Sequence, residues 1–479
     1  MKRTAMIFRV VRLLLGALLC GSLTACQSEQ DKLYDELVNS AKQNSQPESV
    51  LSSQTESSAI SQAGEGKQLS GELWISLPAK ENAIESWASK FRERHPDVKI
   101  SFEYVVPNPS EGYPGDYMEQ YTSKTVTALA GGEAPDIVNL AFVSFYKYAK
   151  TGLFEDLYEL MEKDAGFNKE DYYTNIFEVM EDTEGHLYAM VPFFRFHFFI
   201  LNDYMLYEMK TDVDEEFGGS VGYQDLIDLF WRGRASGAIS EDAYFAPNFS
   251  KFFFEGLVIP QFLNEKTGEA RFDTPEFIEY LEQTDALPFE NTLTQGSTYT
   301  YNWPMFSPTD YFCQLMTVSL QLLGQVDGGQ MAGCSEPVFY KGVNGDAPFT
   351  TATMLAIPKG PNAELAWEFL KFMIEEKEFP EEIDMYNSSD LQDYLMPYGH
   401  AMPVNKNNCK KLITSIYGSD SLAEKFCTYN ETLNARASSS SEIMENLKDI
   451  FISYYDNHLI SAEECAKQLQ ERAWIYLNE

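Results

Sequence analysis

Segments with the periodicity of strands and of helices alternate along the first apolar-rich part of the chain. In order they are a strand at 71–77, a helix at 84–91, a strand at 98–106, a helix at about 116–130 and a strand at 136–140. This alternation predicts a parallel β-sheet with helices on both faces, and therefore an α/β fold. Ligands of such sheets bind beyond the carboxyl ends of the strands, which directs attention to residues 76–80 and 139–144.

The length of the chain indicates more than one hydrophobic core. The chain has 479 residues. The roughly 410 that follow residue 70 are too many for a single core, so we expect two lobes. The chain also contains 28 Tyr, 33 Phe and 6 Trp, enough to fill large cores and to leave some rings for stacking on sugars.

The N-terminal segment has the features of an export signal. Residues 1–25 carry basic residues and no acidic one, and a short apolar run at 13–19 precedes Leu-Thr-Ala and Cys26. The run is shorter than the ~20 apolar residues that span a bilayer, so it predicts a signal peptide that is removed. The four residues that end at Cys26 resemble the bacterial lipobox, which implies that Cys26 is lipidated.

The segment after the predicted cleavage point is polar. Residues 26–70 are rich in Ser, Gln, Glu and Asn and contain few large apolar residues, which predicts a disordered tether. Two acyl chains on Cys26 would make a lasting anchor, whereas one chain would not. We therefore expect the protein on the extracytoplasmic face of the cell membrane, held there by lipid.

The charge of the chain excludes one class of partner. Its formal net charge is −37, from 73 acidic and 36 basic residues. Such a surface repels phosphate backbones, so nucleic-acid binding is not expected. It also disfavours adhesion to anionic lipid, which leaves the acyl anchor to hold the protein at the membrane.

Cysteine and histidine spacing gives no sign of a metal site. The cysteines beyond Cys26 show no CxxC motif, and the five histidines are scattered without an HExxH motif. We therefore expect no metal and no cofactor. Buried free thiols are the expected state, with one long-range disulfide left open. These cysteines are Cys313, Cys334, Cys409, Cys427 and Cys465.

Several runs of residues, in a consistent order, resemble one family. They lie at 129–137, 148–157, 184–192, 200–203, 352–358, 362–372 and 402–406. Together they resemble the family 1 extracellular solute-binding proteins, the carbohydrate-type receptors of ABC importers that include maltose-binding protein. The resemblance covers about 71–205 and 345–479, whereas the region 235–335 departs from it.

The resemblance implies a two-lobed periplasmic-binding-protein-like fold of class II, with a hinge that closes the lobes on a ligand. It places lobe 1 at 71–190 plus about 335–375, and lobe 2 at 191–334 plus about 376–479. The first hinge crossing is expected at 190–194. A monomer that delivers its solute to membrane permease subunits is the implied working state.

Candidate ligand-binding residues follow from strand ends, from the hinge and from a Pro-containing loop. Trp74 is expected either to pack in the core or to stack on the ligand. Arg195 is expected either to pair with a carboxylate or to bind the ligand. The candidates are Trp74, Asn139, Phe142, Ser144, Phe193, Arg195, Trp303 and Thr351.

The predicted function is capture of a carbohydrate, of oligosaccharide size, for import. A peptide or another polar solute is the alternative within the same fold. A lipid-anchored surface hydrolase or an adhesin is the alternative of another class. The G-x-S-x-G pattern at 218–222 lacks the preceding strand that a nucleophile elbow requires, so no enzyme activity is expected and Ser220 is predicted at a helix start.

Overall fold

The structure is a computed structural model. It describes residues 68–141, 143, 145–149, 151–246, 251–289, 311–317, 335–342, 345–384, 387–399, 401–437 and 442–478. The strands are β1 Gly71–Ala79, β2 Val98–Val106, β3 Ile137–Asn139, β4 Phe193–Leu201, β5 Ser220–Val221, β6 Leu263–Asn264, β7 Glu269–Ala270, β8 Cys313–Thr317, β9 Val338–Tyr340, β10 Pro348–Thr350, β11 Leu355–Ala356, β12 Met402–Pro403 and β13 Ala435–Arg436.

Helices account for much of the described chain. The α-helices used below are α1 Asn82–Arg94, α2 Tyr117–Gly131, α3 Phe145–Ala149, α4 Leu157–Lys163, α5 Thr174–Met180, α6 Asp203–Met209, α7 Val213–Phe217, α8 Tyr223–Ser236, α9 Lys251–Phe262, α10 Pro275–Asp285, α11 Ala363–Ile374, α12 Lys406–Tyr417, α13 Asp420–Asn430, α14 Glu442–Phe451 and α15 Ala462–Asn478. Short 3-10 or π turns occupy 109–111, 169–171, 391–398 and 452–456. Within the described residues, no helix is both long enough and apolar enough to cross a membrane.

The first sheet has the strand order β11-β3-β1-β2. Strands β1, β2 and β3 are parallel, with Gly71 opposite Val98 and Ile75 opposite Ile137, as the alternation of strands and helices predicts. Strand β11 comes from much later in the chain and runs antiparallel, with Leu355 opposite Asn139.

Helix α1 packs on this sheet through the residues that repeat at helical spacing. Ile84, Trp87, Ala88 and Phe91 are all buried. Helix α2 ends where predicted, because Gly132 adopts a left-handed conformation (φ 71°) that caps the last turn. The helices predicted at 84–91 and at about 116–130 are therefore confirmed.

The second sheet is built around β4. Its order is β13-β10-β4-β9-β5, and β8 and β12 also pair with β4. Phe194, Phe196 and Phe198 point into a core on one face of β4. Phe199 and Leu201 contribute to a second core with α8, α14 and α15. Two sheets with their own helices confirm the two-lobed α/β fold.

The chain crosses between the two sheets beside an antiparallel pair of segments. Met190 and Leu355 exchange backbone hydrogen bonds of 2.8 and 2.9 Å, just before β4 and at the start of β11. A third segment joins them, because the Val404 amide donates to the Pro192 carbonyl (3.0 Å). The crossing expected at 190–194 therefore lies beside two other segments that connect the lobes.

The structure differs from the predicted lobe boundaries at two places. Strands β9 and β10 lie within the range 335–375 that we assigned to lobe 1, yet both are hydrogen-bonded to β4 in the second sheet. Conversely, residues 391–398 lie in a range assigned to lobe 2 but pack on α1, where Trp87 donates its indole N–H to the Pro397 carbonyl (2.6 Å). The return to the first sheet occurs at 351–355.

Candidate ligand-binding site

Asn139 ends β3 and is completely buried beside the hinge. Its side-chain amide donates to the Ala352 carbonyl (2.9 Å) and to Glu81 Oε1 (3.3 Å), while its Oδ1 accepts from the Met354 and Ala141 amides at 3.0 Å. All these partners belong to the protein. Asn139 therefore ties β3 to the returning segment 352–354.

Glu81 stands next to Asn139, two residues after β1 ends. Its carboxylate accepts from Asn139 and, at 3.5 Å, from the Thr353 hydroxyl. Burial raises the pKa of Glu81 to about 7, and the two hydrogen bonds oppose that rise. A carboxyl group at the interlobe crossing therefore titrates near neutral pH. The residues expected near a ligand from the sequence, 76–80, end one position before Glu81.

Thr351 and Phe193 lie together at the crossing. The Thr351 hydroxyl donates to the Phe193 carbonyl (2.8 Å) and accepts from the Thr353 amide (3.1 Å). The Phe193 ring is buried and packs edge-on against Tyr398 at 5.6 Å. The polar groups of Thr351 are thus engaged by the hinge itself.

Arg195 projects from β4 on its partly exposed face. Arg195 pairs with Thr350 of β10 in the sheet. The Arg195 guanidinium donates a hydrogen bond to the Gly399 carbonyl. His197, two residues further along the same face, is also only partly buried. Arg195 is therefore held at the hinge edge of the second sheet with part of its surface open to solvent.

The structure brings four predicted residues together and separates one from them. Asn139, Phe193, Arg195 and Thr351 surround the crossing. Trp74 lies toward the other end of β1, where its amide donates to Asp136 just before β3, and its side chain is 37% exposed. Phe142, Ser144, Trp303 and the lipidation residue Cys26 lie outside the described residues.

A cavity of about 490 Å³ opens between residues of the two lobes, and its lining does not include Asn139, Phe193, Arg195 or Thr351. Tyr146 of α3 and Glu178 of α5 form the wall from the first lobe. The opposite wall includes residues 260–266 and β13, whose Arg436 pairs with Phe349 next to the hinge. Its volume falls within the roughly 300–1,000 Å³ of small-molecule sites.

Asn175 joins the two walls. Its amide nitrogen donates to the Asn430 carbonyl (2.7 Å) and to the Leu433 carbonyl (2.8 Å), across from α5 to the segment before β13. Its Oδ1 is buried without a hydrogen-bond partner, in a side chain that lines the cavity. This part of the cavity wall is therefore formed by a contact between α5 and the segment 430–433 that precedes β13.

The lining charges of the cavity nearly cancel. Four carboxylates face three cations, in the set Glu178, Glu265, Glu269, Asp346, Lys266, Arg271 and Arg436. Burial raises the pKa of Asp346, and Arg271 opposes the shift. Burial also raises the pKa of Tyr146 to about 12, so this phenol stays neutral and donates to the Val179 carbonyl (2.9 Å). Such a surface offers many donors and acceptors without a strong net field.

The sequence did not single out the residues of this cavity. Arg436 ends a two-residue strand and Arg271 follows another, and neither strand is long enough to show a periodic pattern. Only the pairing of β13 with β10 brings Arg436 to the hinge. No local signal would have placed it there.

The structure also shows the surroundings of Ser220 and of the side chains that could bind a metal ion. Ser220 opens the short strand β5, while helix α8 begins at Tyr223 with Gly222 as its N-cap, so the prediction of Ser220 at a helix start is wrong. Among the residues that the structure describes, no group of three or more His, Cys, Asp or Glu side chains is placed to hold a metal ion.

Comparisons with known proteins agree with this architecture. The profile of the family described as bacterial extracellular solute-binding protein matches residues 76–378, more than half of the chain. A search of the curated proteins finds no match.

Solved structures share the fold at low sequence identity. A family 1 extracellular solute-binding protein from Alicyclobacillus acidocaldarius is 15% identical, with a TM-score of 0.58 over 86% of this chain and 100% of its own. The sugar-binding protein MalE from Xanthomonas citri is 13% identical, with a TM-score of 0.60 over 85% and 97%. An ABC substrate-binding protein from Listeria monocytogenes in complex with cycloalternan is 16% identical, with a TM-score of 0.54 over 85% and 98%. The chain therefore belongs to the bacterial extracellular solute-binding proteins.

Proposed function

We propose that the protein captures a neutral oligosaccharide in the interlobe cavity and delivers it to the permease of an ABC importer. The observation that carries the proposal is a polar, charge-balanced cavity with a wall from each lobe. A ligand that contacts both walls binds the closed form better than the open form, and only such a difference can drive closure. A sugar has hydroxyl groups on all sides and no charge, which suits mixed donors and acceptors.

The similar structures support the class of solute. Cycloalternan, an oligogalacturonide and maltose are the ligands of three of the similar proteins. Two of these are neutral saccharides and one is anionic. The near balance of lining charges in this chain favours the neutral kind.

The anchor is a second part of the proposal. We propose that Cys26 carries the lipid and that residues 27–70 act as the tether between membrane and receptor. A tethered receptor meets its permease at a high effective concentration, so that delivery does not depend on diffusion from bulk solution.

A ligand panel tests the solute class. We expect maltotriose or a longer neutral glucan to raise the melting temperature of the exported protein, and a tripeptide to leave it unchanged. Saturation at about 100 times Kd adds about 2.7 kcal/mol to the free energy of unfolding. Stabilisation by the tripeptide alone would reassign the receptor to peptides.

Matched variants test the location. Glu178→Gln and Arg436→Gln change one wall each, and each should weaken binding of the stabilising glucan about tenfold, because a hydrogen bond to a charged group is worth about 1.5–3 kcal/mol. Arg232→Gln is the control, since Arg232 pairs with Glu216 on the exposed side of α8. Equal affinity in all four proteins would place the site elsewhere.

A further inference from the structure

Two cysteines face each other across the helical hairpin formed by α12 and α13. Cys409 is fully buried on α12, and Cys427 is half-buried on α13. The two thiols are close enough to influence each other's ionisation, with Tyr173 of the first lobe beside both. Neither residue has a role in the solute-binding cavity.

The helix geometry shows independently that Cys427 faces Cys409. Asn430 lies three residues after Cys427, so both side chains share one face of α13. The Asn430 amide donates to Cys409 Sγ at 3.4 Å, which turns that face toward Cys409. On its other side, the Cys409 thiol contacts Met402 Sδ at 3.8 Å.

We propose that Cys409 and Cys427 form a disulfide in the exported protein, which cross-links α12 to α13. The extracytoplasmic setting of the family is one in which disulfides form and persist. The inference goes beyond solute binding, and it holds whichever solute the cavity takes.

The two thiols are suited to successive steps of thiol–disulfide exchange. The neighbouring Cys409 thiol lowers the pKa of Cys427, which is also the more exposed of the two. The Cys427 thiolate attacks the disulfide of an extracytoplasmic oxidoreductase and forms a mixed disulfide, which releases one thiol of that protein. Cys409 then loses its proton, attacks the Cys427 sulfur and displaces the second thiol. Two cysteines are oxidised and one protein disulfide is reduced, so electrons and protons balance.

The cross-link would fix a part of the molecule that supports the cavity. Asn430 follows Cys427 by one helical turn, and its carbonyl accepts from Asn175 in the cavity wall. Helix α12 follows β12, which pairs with β4 at Met402 and Phe194. The bond therefore braces the third segment that connects the lobes.

Peptide mapping of the exported full-length protein tests the proposal. Free thiols are blocked with N-ethylmaleimide in denaturant, so that buried thiols also react, and the protein is then digested with trypsin without reductant. We expect peptide 407–410 linked to peptide 426–436. Reduction should separate them. The same chain retained in the cytoplasm should give both peptides blocked as free thiols.

Thermal unfolding gives a second readout. Dithiothreitol should lower the melting temperature of the exported protein by several degrees, since it opens the loop between the two cysteines. Cys427→Ser should abolish this shift, whereas Cys313→Ser, at a buried thiol in β8 of the second lobe, should keep it. Recovery of both peptides as blocked thiols from exported protein, or of either one linked to another cysteine, would overturn the proposal.

Discussion

The carboxyl group of Glu81 lies where ionisation is costly. Its folded pKa of about 7 exceeds its ordinary value of 4.5, so the folded protein holds the proton more tightly than the unfolded chain does. The stability that this proton contributes is complete below about pH 4.5, and it is lost as the pH rises through about 7. The residue is therefore a pH-sensitive component of the hinge.

Replacement of Glu81 by glutamine should remove this dependence. We expect Glu81→Gln to match wild type near pH 4.5 and to exceed its free energy of unfolding by roughly 2–3 kcal/mol at pH 8. Chemical denaturation at several pH values measures the difference. Glu93→Gln, at an exposed glutamate of helix α1, should show no such trend. A constant difference between Glu81→Gln and wild type across the pH range would contradict the expectation.

Strand ends can be found from the sequence, but the direction of each side chain cannot. Asn139 was a candidate because it ends a buried strand, and it does lie at the crossing. Its amide is nevertheless fully engaged with residues near 352–354, more than 200 positions later in the chain. Nothing near Asn139 in the sequence shows those partners. Glu81 was missed for the same reason.

At the scale of elements, the hinge depends on short segments that bond to one another. Thr351 illustrates this, because its hydroxyl serves both the Phe193 carbonyl and the Thr353 amide. Thr351→Val keeps the shape and leaves both groups without that partner. We expect a loss of about 1–3 kcal/mol in the free energy of unfolding, measured in urea.

A matched control separates the hinge from the substitution. Thr127→Val makes the same change in α2, where the hydroxyl donates to the Ser123 carbonyl on an exposed helix face. This variant should lose well under 1 kcal/mol, since water replaces the missing partner. Equal losses of unfolding free energy in the two variants would show that the hydrogen bonds of Thr351 stabilise the protein no more than that of Thr127.

Long elements were predictable and short ones were not. Strands β1 and β2 and helix α1 show clear periodicity, and the structure confirms them. Strands β11 and β13 have two residues each, too few for any pattern. Only β11 returns the chain to the first sheet, at a position within the run 352–358 that resembles the family, whereas β13 pairs with β10 in the second sheet.

At the scale of the whole molecule, the two-lobed fold could be predicted from the family resemblance, because the order and spacing of the motifs can be recognised even at low sequence identity. The solved structures are only 13–16% identical, yet they align over about 85% of the chain. The family profile covers 76–378 and so includes the region 235–335, which we expected to depart from the family pattern. Residues 247–250, 290–310 and 318–334 of this region lie outside the described residues, whereas its residues 260–266 line the cavity from which the solute class is proposed.

The anchor is also a property of the whole molecule. We expect Cys26→Ser to prevent lipidation and to move the protein from the detergent phase to the aqueous phase in Triton X-114 partition of cell extracts. Cys20→Ser is the control, because Cys20 lies within residues 1–25, the predicted signal peptide. Detergent-phase recovery of the Cys26→Ser protein would contradict the proposed anchor.

The late origin of β11 has a consequence for how such a protein is made. The first sheet is completed by Leu355 and Ala356, which pair with β3 only after the whole of β4 and its partners up to β10 have followed. A chain that leaves a translocation channel amino end first therefore exposes an unfinished sheet edge until most of its length has emerged. Completion of the first sheet therefore waits until the strands up to β10 have emerged, so a product truncated before β11 would remain open to proteolysis.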